Sequence, residues 1–111
     1  MSWHNINWSL SEKKIARAAY DIAVAAALAG IMAEFKRRAE AATEPSDMWD
    51  IETYLRDERR EIDEMFIYSY SKLPNVFGYA ISKGYLTESQ LSGLAQDKLF
   101  PIQRMVSFFS N

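Results

Sequence analysis

The side chains able to do chemistry in this chain are few, and most fall on one acidic stretch. Glu58-x-x-Glu61 followed by Asp63-Glu64 resembles the carboxylates that a helical bundle turns inward around two metal ions. Such sites draw Glu-x-x-His pairs from facing helices, and the one histidine, His4, stands far away near the N-terminus. Arginines interleave with the acids instead. Glu52–Arg56, Arg59–Asp63 and Arg60–Glu64 all lie at i,i+4, the spacing of a salt-bridged solvent face worth a few tenths of a kcal/mol per pair. His4 has no carboxylate pair beside it, so a solvated imidazole is expected there rather than a ligand or proton shuttle. The chain has no cysteine, which removes disulfides and thiolate metal sites. It also has no Gly-rich phosphate loop and no nucleophile elbow. The expectation is a protein that is not an enzyme and holds no cofactor and no metal. Recognition chemistry remains. Trp49 with Arg59 and Arg60 is an aromatic and guanidinium set of the kind enriched at protein–protein hot spots. Trp49 has an alternative use, as a staple of its helix start into the core.

These residues must be positioned by helices. The chain has only three Val and three Thr and no alternating run bounded by a hairpin turn, so strand signals are weak. Ser9 with Glu12 makes a capping box, and a Pro-free helical pattern runs from there to about residue 42, interrupted only by Gly30. Pro45 breaks the pattern, Ser46 or Asp47 can cap the next helix, and that second helix opens near Met48. Its apolar stripe is Ile51, Leu55, Ile62, Phe66 and Tyr70. Pro74 should kink that helix or start a new one near Leu73. The stripe continues through Leu73, Phe77 and Ile81 to Gly84, a C′ residue. Thr87 with Gln90 marks a second capping box, a short helix ends near Gly93, and residues 95–108 form a last helix disturbed by Pro101. The expected class is all-α: a long N-terminal helix, a kinked second helical arm and short C-terminal helices. Residues 1–8 read as a flexible tail and residues 9–111 as a single helical domain.

A helix of about 30 residues in a chain of 111 should project from its domain. Its segment 22–32 is apolar all round yet too short for a bilayer, which takes about 20 residues. At about 100° per residue, Ile15, Ala19, Ile22, Ala26, Ala29 and Ala33 form one seam. Tyr20, Val24, Leu28, Ile31 and Phe35 form another on the opposite side. Two seams need two sets of neighbours, which implies a homodimer with Ile22, Ala26, Leu28 and Ala29 on the dimer helix. Six Phe, six Tyr and three Trp are more large apolar material than so small a domain hides, which points the same way. A net charge of −2 and a pI near 5.4 argue against nucleic acid as a partner. The first eight residues lack a signal-peptide pattern, so the expected location is cytoplasmic with no membrane span.

From Trp49-Asp50-Ile51-Glu52-Thr53-Tyr54-Leu55 through Glu58-Arg59-Arg60-Glu61-Ile62-Asp63, the sequence resembles the fluorescence recovery protein family of cyanobacteria. The likeness continues at Tyr70-Ser71-x-Leu73, Val76-Phe77, Gly84-Tyr85-Leu86 and Asp97-Lys98-Leu99, and covers most of the chain. The resemblance implies an all-helical antiparallel homodimer without cofactor or catalysis. It implies a partner, the photoactivated orange carotenoid protein, bound chiefly through that protein's C-terminal domain. Binding there hastens its return to the resting orange state and detaches it from the phycobilisome. Trp49 and Arg59 match the family's Trp and Arg of the dimer and central functional patch, with Glu52, Thr53 and Arg60 beside them. Glu52 and Thr53 stand where the family has a His-Asp or similar pair. Asn75 replaces an aromatic and Pro101 a basic residue at positions of target contact. Two roles therefore stay open: a recovery protein, or a similar helical dimer with another partner or a scaffolding role.

Overall fold

Ser9 and Glu12 close a reciprocal cap, the Glu12 N–H donating to Ser9 Oγ (3.2 Å) and the Ser9 N–H to Glu12 Oε1 (3.0 Å). Helix α1 then runs unbroken over Leu10–Ala41. It is the first element of a computed structural model that describes residues 7–110; His4 and the rest of residues 1–6 lie outside the described residues. Helix α2 spans Pro45–Met65 and starts ahead of Ser46 and Asp47, the expected caps. Glu44 is the N-cap because Pro45 suits the first helical position, where a missing N–H leaves nothing unpaired. Asp47 reaches back to accept the Thr43 and Glu44 N–H groups at 2.9 Å each. Those two bonds, Thr43's first, hold its carboxyl below the usual range.

The expected stripe out to Tyr70 is cut short, since α2 ends at Met65. The Tyr20 hydroxyl donates to the Phe66 carbonyl at 2.9 Å, so that oxygen is satisfied by tertiary structure rather than by a further helical turn. Phe66 and Tyr68 stand edge-on to the Tyr20 ring at 5.9 and 4.9 Å, and the Arg17 guanidinium lies 4.7 Å from the Tyr68 centroid. Residues 66–72 thus form an aromatic clasp across the first turns of α1. Pro74 sits in the first turn of a new helix, α3 (Leu73–Ser82), and does not kink an old one. Its end is a Schellman motif: Tyr85 N–H to Ala80 O (2.8 Å) and Gly84 N–H to Ile81 O (3.0 Å), with Gly84 at φ +81°. Only glycine adopts that φ without strain. A 3-10 turn at Glu88–Leu91 and helix α4 at Gln96–Ser110 complete the chain. There is no strand among the described residues.

The core lies at one end. Ala16, Ala19 and Ala23 of α1 pack with Leu73, Val76, Phe77 and Ala80 of α3, with Leu86, Leu91 and Leu94 of the connecting segment, and with Ile102 of α4. Trp8 belongs to this core and not to a tail: it is 9% exposed, with its ring 5.5 Å from Tyr70. Alanines on α1 let α3 and the 3-10 turn approach closely, and Gly78 does the same between α3 and α4. A Cβ there would fall 2.8 Å from the Met105 carbonyl carbon and 2.9 Å from the Val106 nitrogen.

The buried alanines also revise the two-seam reading. Ala16, Ala19, Ala23 and Ala27 are the residues of α1 that the chain covers most completely besides Glu12. Ala19 belongs to the first expected seam, while Ala16, Ala23 and Ala27 lie between the two. Tyr20, Val24, Ile31 and Phe35 are half-buried, Ala26 is half-buried, and Ile22, Leu28, Ala29 and Met32 are exposed. Beyond the head, the second half of α1 pairs with α2 as a two-helix arm. The 32 residues of α1 span about 48 Å, and they set the 53 × 22 × 22 Å extents.

By length and composition α1 as a whole could cross a membrane, contrary to the reading of residues 22–32 alone. Yet its first half carries the head's core on one side. Arg17 and Asp21, paired at 3.4 Å, are exposed within its apolar stretch.

Candidate protein-interaction face

Helix α2 presents two faces. Ile51, Leu55 and Ile62 turn toward α1 and are half-buried, while no residue of α2 is fully buried. Trp49, Glu52, Thr53, Arg56, Arg59, Arg60 and Asp63 fall on the other side, within an arc of about 120° at 100° per residue. Trp49 is 63% exposed, so it does not staple the helix start into the core. Its carbonyl accepts the Thr53 hydroxyl at 3.1 Å, and Glu52 is held by Arg56 at 3.0 Å. Arg60 pairs with Asp57 at 3.9 Å, not with Glu64. Neither the Arg59–Asp63 nor the Arg60–Glu64 pair forms among the described residues. Exposed pairs are worth so little that competing rotamers decide them. Glu61 is taken by tertiary structure, accepting the Tyr79 hydroxyl at 2.5 Å beside Lys83 at 4.0 Å. Burial first, and that carboxylate second, push the Tyr79 phenol well up.

Arg59 and Asp63 overhang a groove between α1 and α2. Its volume is about 430 Å3, and Leu28, Ile31, Leu55 and Ile62 line it with them. One patch residue, Arg59, and one dimer-helix residue, Leu28, therefore meet at one apolar cleft. Sequence spacing could not place them together, since they come from different helices. At the arm's tip, the Glu34 carboxylate accepts from Arg37 (2.5 Å) and Arg38 (2.7 Å), and is held down to about 2 by those bonds. Arg38 also lies 4.2 Å from the Tyr54 centroid. Asn75 is half-buried and Pro101 is buried, so neither extends the open face of α2. Among the described residues, no three His, Cys, Asp or Glu side chains gather as metal ligands. An exposed indole, a guanidinium and an apolar cleft make this face suited to binding another protein.

Residues 8–106 match the family described as photoprotection regulator fluorescence recovery protein. The fluorescence recovery protein of Synechocystis sp. (strain ATCC 27184 / PCC 6803 / Kazusa) is 29% identical over 98 residues, which is 88% of this chain and 90% of that protein. The structure of the Fremyella diplosiphon fluorescence recovery protein superposes with a TM-score of 0.85 at 33% identity, covering 91% of this chain and 99% of that one. The structure of the Synechocystis sp PCC 6803 protein gives the same TM-score and coverage at 28% identity.

Proposed function

Because this chain belongs to the family of the photoprotection regulator fluorescence recovery protein, we propose that it is a cytoplasmic, non-enzymatic regulator. In this reading it binds photoactivated orange carotenoid protein and speeds that protein's return to the resting state. The observation that carries the reading is the presence of both Trp49 and Arg59 on the open face of α2, on a fold matched over 91% of the chain. Such a protein works by differential binding. It accelerates relaxation to the extent that it holds the structure between active and resting forms more tightly than the active form.

The active unit in this reading is a homodimer built on the arms. A radius of gyration of 16.5 Å exceeds the roughly 13 Å of a compact domain this size. The surface of 7200 Å2 is about 900 Å2 above the norm for this mass, close to one partner's share of a standard interface. Helix α2 buries no residue within its own chain. Leu28→Glu is expected to weaken self-association at least tenfold, since it replaces an exposed apolar side chain with a charge that the apolar cleft would have to desolvate. Sedimentation across a concentration series measures this, and an unchanged dimer, or a wild type that is monomeric throughout, rejects the arm interface.

Activity has its own test. Trp49→Ala and Arg59→Gln should each slow the red-to-orange recovery by about tenfold or more, the size expected of a hot-spot anchor. Absorbance after mixing with photoactivated carotenoid protein gives the rate, and recovery indifferent to both substitutions would refute the role of this face. A second reading, a dimer of this family with a different protein partner or a scaffolding role, is favoured by one observation. Glu52 and Thr53 spend their polar atoms on Arg56 and Trp49, and Pro101 is buried. A stable dimer without any acceleration of recovery would select it.

A further inference from the structure

The outer face of α4 carries a motif with no part in the function proposed for α2. Phe100, Arg104 and Phe108 stand at i, i+4 and i+8, hence on one side of the helix. The two rings are 56% and 68% exposed, while Lys98, Pro101 and Ile102 on the other side are buried in the head. Phe108 is not a fraying end. Its ring stands edge-on to Phe109 at 5.2 Å, and Phe109 packs edge-on against Tyr79 at 5.5 Å. The Arg104 guanidinium lies 5.9 Å from the Phe100 centroid. Arg17, Arg37, Arg38, Arg56 and Arg60 each have a carboxylate within 4 Å. Arg104, like Arg59, has none among the described residues, and Asp97, the one acid of its helix, is taken by Lys98 at 3.2 Å.

We infer that this stripe is a second protein-docking surface, whose occupant is a segment carrying a carboxylate between two aliphatic side chains. The uncompensated guanidinium calls for a carboxylate, which it can grip bidentately while resting on a ring. The held phenyl rings on either side call for apolar flanks, at little ordering cost to this chain. An anionic bilayer is the poorer match, since it captures proteins through clusters of Lys and Arg and this face has one cation. The stripe lies on the head, on a different helix from Trp49 and Arg59, and its partner need not be the carotenoid protein.

The test uses the full-length protein labelled with 15N and two helical peptides of about 15 residues, long enough to hold a helix with suitable residues. One carries Leu-x-x-x-Glu-x-x-x-Leu and the other has Gln in place of Glu. Vesicles of phosphatidylglycerol and sedimentation of the free protein complete the set. The Glu peptide should shift amides of residues 96–110 and bind at least tenfold more tightly than the Gln peptide. Arg104→Gln should erase that preference, and Phe108→Ser should weaken both peptides with circular dichroism unchanged. Equal affinity for the two peptides, shifts confined to other helices, or a stripe that answers only to vesicles or to a second copy overturns the inference.

Discussion

Replacing Lys98 by methionine should destabilise the protein by about 3–5 kcal/mol, the usual loss when one partner of a buried ion pair is removed. Lys98 Nζ stands 3.1 Å from Glu12 Oε1, with both side chains nearly inaccessible. The Glu12 carboxylate does two jobs at once. Oε1 accepts the Ser9 N–H at the start of α1, and Oε2 accepts the Ala95 N–H at 2.9 Å, one residue ahead of α4. It therefore ties together the starts of two helices that lie 83 positions apart in sequence. Without the ammonium, a desolvated carboxylate stays behind, and the Trp8 ring loses the cation that lies 5.8 Å from its centroid. The double change Glu12→Gln with Lys98→Met should cost less than the two single losses added, because the stranded charge is gone. Urea unfolding at fixed protein concentration measures all four corners, and a Lys98→Met loss under about 1 kcal/mol would contradict the account.

The same carboxylate sets an acid limit. The Ser9 N–H chiefly, then the Ala95 N–H and Lys98, outweigh burial and hold Glu12 at about 2 against 4.5 for a free glutamate. Its folded value is depressed, so its contribution is present above pH 4.5 and fades as pH falls toward 2. Burial lowers the Lys98 value, but the bonds to Glu12 and Asp97 more than offset it and leave it raised above 10.5. That contribution is complete below pH 10.5 and fades only above it, so both are in force between 4.5 and 10.5. The stability gap between wild type and Glu12→Gln should accordingly be wide at about pH 7 and narrow at about pH 3. A gap independent of pH would contradict the assignment.

Gly78→Ala should cost about 2–3 kcal/mol, toward the upper end of overpacking losses. At about 4–8 °C per kcal/mol, that is roughly 10–20 °C in Tm. The added methyl would meet the Met105 and Val106 backbone at 2.8 and 2.9 Å, and helix backbone has no rotamer to turn away. Helices α3 and α4 would have to part where the head's core is densest. Gly30→Ala is the control of opposite sign. Gly30 is exposed on α1 with nothing within 4 Å of a new Cβ, so alanine should add about 0.5–1 kcal/mol through helix propensity. Thermal melts of the two variants side by side decide it, and a Gly78→Ala protein as stable as wild type would show that the helices can separate freely.

By itself the sequence determined what rests on neighbours along the chain. The Ser9–Glu12 cap, the break at Pro45, the new helix near Leu73 and the glycine stop at Gly84 depend on bonds between near neighbours, and each is legible from spacing. The exposed types on α2, Trp49 and Arg59 among them, could also be named as recognition chemistry. Tertiary structure decided the rest. It placed the buried face of α1 along Ala16, Ala19, Ala23 and Ala27, the first three where α3 and the 3-10 turn need small residues for close approach, whatever the bulk of the neighbouring seams. It ended α2 at Met65 through the Tyr20 hydroxyl, 46 positions away from the carbonyl it satisfies, and drew Trp8 into the core beside Tyr70. It joined Glu12 to Lys98, and Leu28 to Arg59 across one cleft. Local spacing carries no record of such pairs, because the energy that selects them arises only once distant helices exclude water together.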